Sequence, residues 1–211
     1  MRLTKLEHSC LILDEAGDRL VLDPGSFTTP LTDTSGITVV VLTHEHGDHA
    51  SIDQLERIRE QSPDARILGT AGCAALAPEL GIEVVSPGDR VEVGAFRIEF
   101  SGGEHALIHE SVPSVENLAV RINDDFYTPA DSFQLPERPV RVLAVPTGAP
   151  WLTIKHVIDY IVAAAPAITI PVHEMVLSRA GIQLQHSRMR TATEQCGGRF
   201  LPLEPNESVD L

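Results

Sequence analysis

The chain has 211 residues, 43% apolar and 22% charged, a composition that supports a packed core and excludes a disordered or low-complexity polymer. Its formal net charge of −14 repels nucleic acid and anionic membrane surfaces, which leaves a small molecule as the expected partner. No apolar run approaches the ~20 residues that cross a bilayer, and the first eight residues meet charge at once, unlike a signal segment. Cys10, Cys73 and Cys196 form no C-x-x-C pair and cannot all be bridged within one chain, so reduced thiols and a cytoplasmic location are expected.

In chain order, strand-like runs cover residues 2–6, 10–13, 19–22 and 37–42, with a hairpin turn predicted at Gly17-Asp18 and a loop at Asp23-Pro24-Gly25. Ser51 is placed to cap a helix that runs to about Gln61, with Ile52, Leu55 and Ile58 on its buried side. A strand over 66–69, a short helix over 71–77 and a strand over 82–86 follow. Strands over 90–93 and 96–101 flank Gly94, and 118–122 turns through Asn123-Asp124-Asp125 into 126–128. Residues 141–145 read as a buried strand. Helical spacing at Ile154, Val157, Ile158 and Ile161 predicts a helix over 153–164, then a strand over 168–171 and a helix from about 174 to 182. No repeat or linker divides the sequence, so one domain over residues 1–211 is expected. Pattern alone gives α/β or α+β, with two sheets face to face and helices outside as the favoured arrangement.

The strongest local signal is Thr43-His44-Glu45-His46-Gly47-Asp48-His49, directly after the apolar run 37–42. In an extended segment His44 and His46 point to the same side, and a turn at Gly47 can swing Asp48 and His49 toward a second point nearby. Imidazole and carboxylate together suit zinc or a similar first-row metal. Three further candidates follow strands downstream: His105 after 96–101, Asp131 after 126–128 and His173 after 168–170. Singly each is weak, but their ordered recurrence after strands strengthens all three.

This set, H-x-H-x-D-H followed by a distal His, an Asp and a final His, resembles the metallo-β-lactamase superfamily. The resemblance runs from Asp23 to His173 and is nearest to the short, stand-alone branch akin to L-ascorbate-6-phosphate lactonase and the compact bacterial metal-dependent hydrolases. Glu7-His8-Ser9-Cys10, Gly102-Gly103-Glu104-His105-Ala106 and Pro171-Val172-His173 each resemble an element of that branch. The resemblance implies a single-domain, four-layer αββα sandwich of the α+β class. It also implies two divalent metal ions, zinc ahead of manganese or iron. His44, His46 and His105 would hold the first ion, and Asp48, His49 and His173 the second. Asp131 would bridge them, and Asp23 would orient a ligand imidazole through its other nitrogen. Asp48 and His8 are the candidate catalytic side chains. The implied reaction is attack of a metal-activated water on a small-molecule ester, lactone or phosphodiester. The alternatives are a nuclease of the same fold or a non-catalytic metal-binding module.

Some readings stay open at this level. Ala130 stands where the family usually has Gly, which matters if that backbone needs a positive φ. His109 competes with His105 as third ligand, with His105 favoured. His8 either lines the pocket or is a hydrogen-bonded strand residue. His156 reads as an ordinary helix residue, while His186, with Arg188 and Arg190, lies at the pocket mouth or on a solvated surface. Trp151, the only tryptophan, walls the pocket or anchors its loop. Self-association is not legible.

Overall fold

The structure is a computed structural model that describes residues 1–211. The first sheet contains β1 (Arg2–Lys5), β2 (Leu11–Glu15), β3 (Asp18–Leu22), β4 (Ile37–Val41), β5 (Arg66–Gly69) and β6 (Glu83–Val84). The second contains β7 (Arg90–Val93), β8 (Phe96–Gly102), β9 (Leu118–Ile122), β10 (Phe126–Thr128), β11 (Val142–Pro146), β12 (Ile168–Val172) and β13 (Arg199–Phe200). A last strand, β14 (Ser208–Asp210), returns to pair with β1, giving the orders β14-β1-β2-β3-β4-β5-β6 and β13-β12-β11-β10-β9-β8-β7.

Alternation along the strands builds the layers. Leu20, Leu22, Val39 and Val41 face inward to meet Phe96, Ile98, Val120, Phe126 and Val142 of the other sheet. Their neighbours Val21, Val40 and Leu42 face outward, under Leu55 and Ile58 of α1 (Ile52–Gln61). On the far side Leu143 and Val145 face Val157, Tyr160 and Ile161 of α3 (Ile154–Ala164) and Met189 and Ala192 of α4 (Arg179–Gln195). With α2 (Ala71–Leu76) beside β5 and β6, the result is the four-layer αββα sandwich of the α+β class. No helix is long and apolar enough to cross a membrane. Cys10 and Cys73 are buried and Cys196 half-buried, all three unbridged. Burial pushes the Cys73 thiol up to about 11, so it stays protonated and unreactive.

Five details differ from the sequence expectation. The hairpin between β2 and β3 turns on Ala16-Gly17, one residue earlier than Gly17-Asp18, because Asp18 pairs with Glu15 and both turn residues take positive φ. Ile52 is exposed and Gln54 is buried in its place, where it bonds the backbone of Thr28 and Leu31. The expected strand over 82–86 is only two residues long. The last helix spans Arg179–Gln195 rather than 174–182, and β13 and β14 were not foreseen. That helix buries only Met189, Ala192 and Thr193 among its core contacts, too few apolar residues to leave a clear 3.6-residue stripe.

The strand directions place the chemistry. β1, β3, β4, β8, β10 and β12 all run the same way within their sheets, through parallel pairs (β3 with β4, β10 with β11, β11 with β12) and double antiparallel steps (β1 to β3, β8 to β10). Their C-terminal ends carry His8, Asp23, the 44–49 loop, His105, Asp131 and His173 respectively. Two backbone hydrogen bonds join the sheets there: Leu118 N–H to the Thr43 carbonyl, and His173 N–H to the His8 carbonyl, both 2.9 Å. The Asp23-Pro24-Gly25 loop lies directly on the 47–49 loop, and a Cβ at Gly25 would fall 1.7 Å from the Asp48 carbonyl oxygen. Only glycine fits at that approach.

Candidate metal centre

All seven side chains expected to bind metal meet at this edge. Ligand atoms of His44, His46 and His105 form one group, those of Asp48, His49 and His173 form another together with His8, and His44, His49 and Asp131 form a third. Asp131 lies between the groups: its Oδ1 is 3.2 Å from His49 Nε2, and its Oδ2 is 3.2 Å from His173 Nε2 and 3.4 Å from His105 Nε2. His109 is exposed, bonded to Ser111 and outside the cluster, so His105 is the histidine this loop delivers.

Four of the five ligand imidazoles are held through their far nitrogens. His49 Nδ1–H donates to Asp23 Oδ2 at 2.8 Å, His105 Nδ1–H to the Ala106 carbonyl at 2.6 Å and His173 Nδ1–H to the Gly148 carbonyl at 2.5 Å. His44 Nδ1 meets the Thr43 hydroxyl, which itself donates to Asp23. These bonds assign the tautomers and leave the Nε2 lone pairs of all four rings aimed inward. Asp23 thus orients His49 directly and His44 through Thr43, and it also accepts the Thr43 N–H.

The inward atoms lack partners. His49 Nε2, His105 Nε2, His173 Nε2 and Asp131 Oδ1 are buried with no hydrogen bond; the close pairs among them are offset from hydrogen-bond alignment. Each buried polar atom left in that state costs about 1–3 kcal/mol, and all four are good metal donors. His44 Nε2 and His46 Nδ1 stand 3.1 Å apart, close to the roughly 3.3 Å expected of two nitrogens on one tetrahedral zinc. The donor set fits divalent metal.

Proton affinities follow from the same crowding. Burial pushes His44 well below the ordinary imidazole value. Burial opposes ionisation of Asp131, yet the His49 and His173 rings outweigh it and hold that carboxyl well below the usual range. Burial likewise opposes charging of His49, but Asp131 and Asp23 raise it well above its ordinary value, and His173, opposed by burial and favoured by Asp131, rises to about 9. Without metal the neighbouring carboxylates favour the protonated form of both His49 and His173.

Further side chains support the ligands, and of these Asn117, Lys5 and Glu174 carried no sequence signal. Asn117 donates to the Pro129 carbonyl and accepts the Asp131 N–H at 3.0 Å, fixing the loop that presents Asp131. Trp151 Nε1–H donates to Asp131 Oδ2 at 3.2 Å, and its ring lies 5.7 Å from His105. His8 is buried, accepts the Met175 N–H at Nδ1, and so donates Nε2–H to Asp48 at 3.1 Å. Behind His173, Glu174 is buried between Lys5 and His186. Burial works against its charge, and those two neighbours overcome it and hold Glu174 below the ordinary carboxylate value. His156 is exposed on α3.

The backbone is held off its easy conformations here. His8, Asp23, Ala130 and His173 all have positive φ, between 46° and 62°. Asp and His tolerate this region better than most residues, but Ala gains nothing from it.

A sandwich of two mixed sheets with a His/Asp cluster at one edge is the architecture of the metallo-β-lactamase fold. Residues 2–173 match the model of the Beta-lactamase superfamily domain, and the chain belongs to that superfamily. Protein Rv0786c of Mycobacterium tuberculosis is 31% identical over 198 residues, 92% of this chain and 93% of its own length. The UPF0173 metal-dependent hydrolase Atu1317 of Agrobacterium fabrum is 30% identical over 116 residues, 50% of this chain and 48% of that protein. Among solved structures, Igni18, a metallo hydrolase of Ignicoccus hospitalis, superimposes with a TM-score of 0.73 and 17% identity over 99% of this chain and 97% of its own. That likeness is one of fold.

Two outcomes follow. Ala130→Gly relieves the left-handed strain, roughly 1–2 kcal/mol, against about 0.5–1 kcal/mol of added chain entropy, so urea unfolding should show a net gain of about 0.5–1 kcal/mol. Metal competes with the proton on His173, held up to about 9, and with one on His49, shifted the same way, so zinc binding near pH 7 should release at least one proton per chain, and the His173 proton alone should lower affinity roughly tenfold for each pH unit below about 9. Calorimetry in buffers of different ionisation enthalpy reads this directly. Binding without proton release would contradict the assignment.

Proposed function

We propose that the chain uses two divalent metal ions to hydrolyse an ester, lactone or phosphodiester of a small molecule. The observation that supports this best is Asp131, whose two oxygens face ligand nitrogens of both groups at 3.2–3.4 Å. His44, His46 and His105 would hold one ion, Asp48, His49 and His173 the other, and Asp131 would serve both. Zinc suits this histidine-rich set, with manganese or iron as competitors. When bound, the ions would acidify a water and polarise the oxygen of the bond to be cleaved.

The chain's own residues supply the rest. Asp23, Thr43, Ala106 and Gly148 hold the ligand rings in the tautomers that metal requires. Trp151 and Asn117 fix Asp131 from its side chain and its backbone. The Asp48 carboxylate is 23% exposed against 5% for Asp131, which makes it the one placed to exchange a proton with solvent. His8 acts through Asp48 and is a positioning residue. The net charge of −14 disfavours the nuclease alternative.

The test is turnover by zinc- or manganese-loaded protein across a panel of small esters, lactones and phosphodiesters. At least one class should be hydrolysed, and His46→Ala and Asp131→Ala should each lose more than about a hundredfold while keeping the wild-type circular dichroism. Undiminished turnover in both variants would contradict the mechanism.

A further inference from the structure

The helices cover the second sheet unevenly. α3 packs on β11, and α4 packs on β12 and β13. Further along the sheet, the outward side of β8 and β9 meets the loops 87–89 and 134–138. There the strand register lays Arg90, Glu99, Arg121 and Tyr127 side by side in one row across β7, β8, β9 and β10. Their neighbours Ile98, Val120 and Phe126 point the other way, into the core. A cavity of about 410 Å³ lies over this row, large enough for a small molecule. Asp89, Glu137 and Arg138 also line it, and none of its residues is a metal ligand.

Arg121 is the unusual member. It is 5% exposed, yet its guanidinium forms no ion pair. It donates instead to the main-chain carbonyls of Asp124, Pro139 and Arg138, at 2.9, 3.4 and 2.7 Å, and lies 5.7 Å over the Tyr127 ring. Those bonds occupy three of the five N–H groups that a guanidinium offers. A buried cation without a counter-ion is costly.

The carboxylates around it are unevenly used. Glu99 is engaged by Arg138, whose Nη2 donates to its two oxygens at 3.0 and 2.9 Å, and Arg90 stands 3.9 Å away. Glu137 is exposed and forms no ion pair, and the Asp89 side chain holds only the Ser86 N–H, at 2.8 Å. One cavity is thus lined by a cation without an anion and by two anions without a cation, none of them paired with another. A ligand of single charge would answer one side and be repelled by the other, whereas a ligand of both signs answers both.

We propose that this cavity is a second ligand site, separate from the metal cluster, for a small polar zwitterion of the amino-acid type. Its carboxylate lies toward Arg121 and its ammonium toward Glu137 and Asp89. The site involves no metal and no bond cleavage, so it stands or falls independently of the hydrolase reading.

The experiment titrates zinc-loaded and metal-free protein with glycine, L-serine and L-glutamine. It follows the NMR signals of ¹³C-labelled Tyr127 and Tyr160, the only tyrosines, and of the Trp151 indole beside Asp131. At least one amino acid should shift Tyr127 with a Kd below about 1 mM in both forms, while Trp151 stays unmoved. The matching probes that keep one charge are acetate and methylamine, 3-hydroxypropanoate and ethanolamine, and 4-carbamoylbutanoate and 4-aminobutanamide. Each should bind at least about threefold more weakly than its parent. Glu137→Gln should weaken the parent roughly threefold, as for other exposed charges, and Arg121→Met by at least about thirtyfold. Arg121 also ties three carbonyls together, so if Arg121→Met does not fold, the single-charge probes and Glu137→Gln decide. Equal binding of a single-charge probe or of inorganic phosphate would overturn the zwitterion assignment. A ligand that shifts Trp151 but not Tyr127 would belong to the metal cluster and overturn the site. No Tyr127 shift with any of the three amino acids at about 20 mM would overturn it as well.

Discussion

Four buried donor atoms without protein partners, gathered around Asp131, are the constraint on which this molecule turns. Three imidazole lone pairs and one carboxylate oxygen converge in a space that excludes water from most of its walls. A protein core normally pairs such atoms. Here the far nitrogens of the rings are paired carefully while the near ones are left free, an arrangement that is costly by itself and is offset once cations enter. Without metal the same carboxylates favour protons on His49 and His173, so metal binding is expected to release protons.

The rest of the fold delivers those atoms to one place. Six strands from two sheets end at the same edge, and only two backbone hydrogen bonds, Leu118 to Thr43 and His173 to His8, join the sheets there. Positive φ at His8, Asp23, Ala130 and His173 turns each chain sharply as it leaves its strand. Backbone strain of this sort concentrates where surrounding packing over-determines it. The inward leucines, valines and phenylalanines between the sheets provide that packing.

Much of this was legible in the sequence because it rests on short-range chemistry. Alternation along residues 19–22 and 37–42 marked the strands, and H-x-H-x-D-H marked the loop that follows. The later ligands were legible only by their order after strands. Ala130 could be singled out because an alanine stands where glycine is expected, and its φ of 50° shows the physical reason. What escaped depends on long-range contact. Glu174 and Lys5 are ordinary as residue types, and His186 stood out only as a pocket-mouth or surface candidate, yet Glu174 is buried between the other two. Asn117 acts on Asp131 through a hydrogen bond that no spacing encodes, and Trp151, legible as a pocket wall or loop anchor, adds one the sequence does not show. The long helix Arg179–Gln195 hid because it buries little apolar surface.

The central claim is that the cluster is built for two ions rather than one. It is tested most directly by elemental analysis of protein stripped with chelator, reloaded with excess zinc and freed of unbound metal. The account predicts two zinc ions per chain, since Asp131 has ligand nitrogens on both sides. A limit of one or fewer, in protein whose circular dichroism is intact, would contradict it.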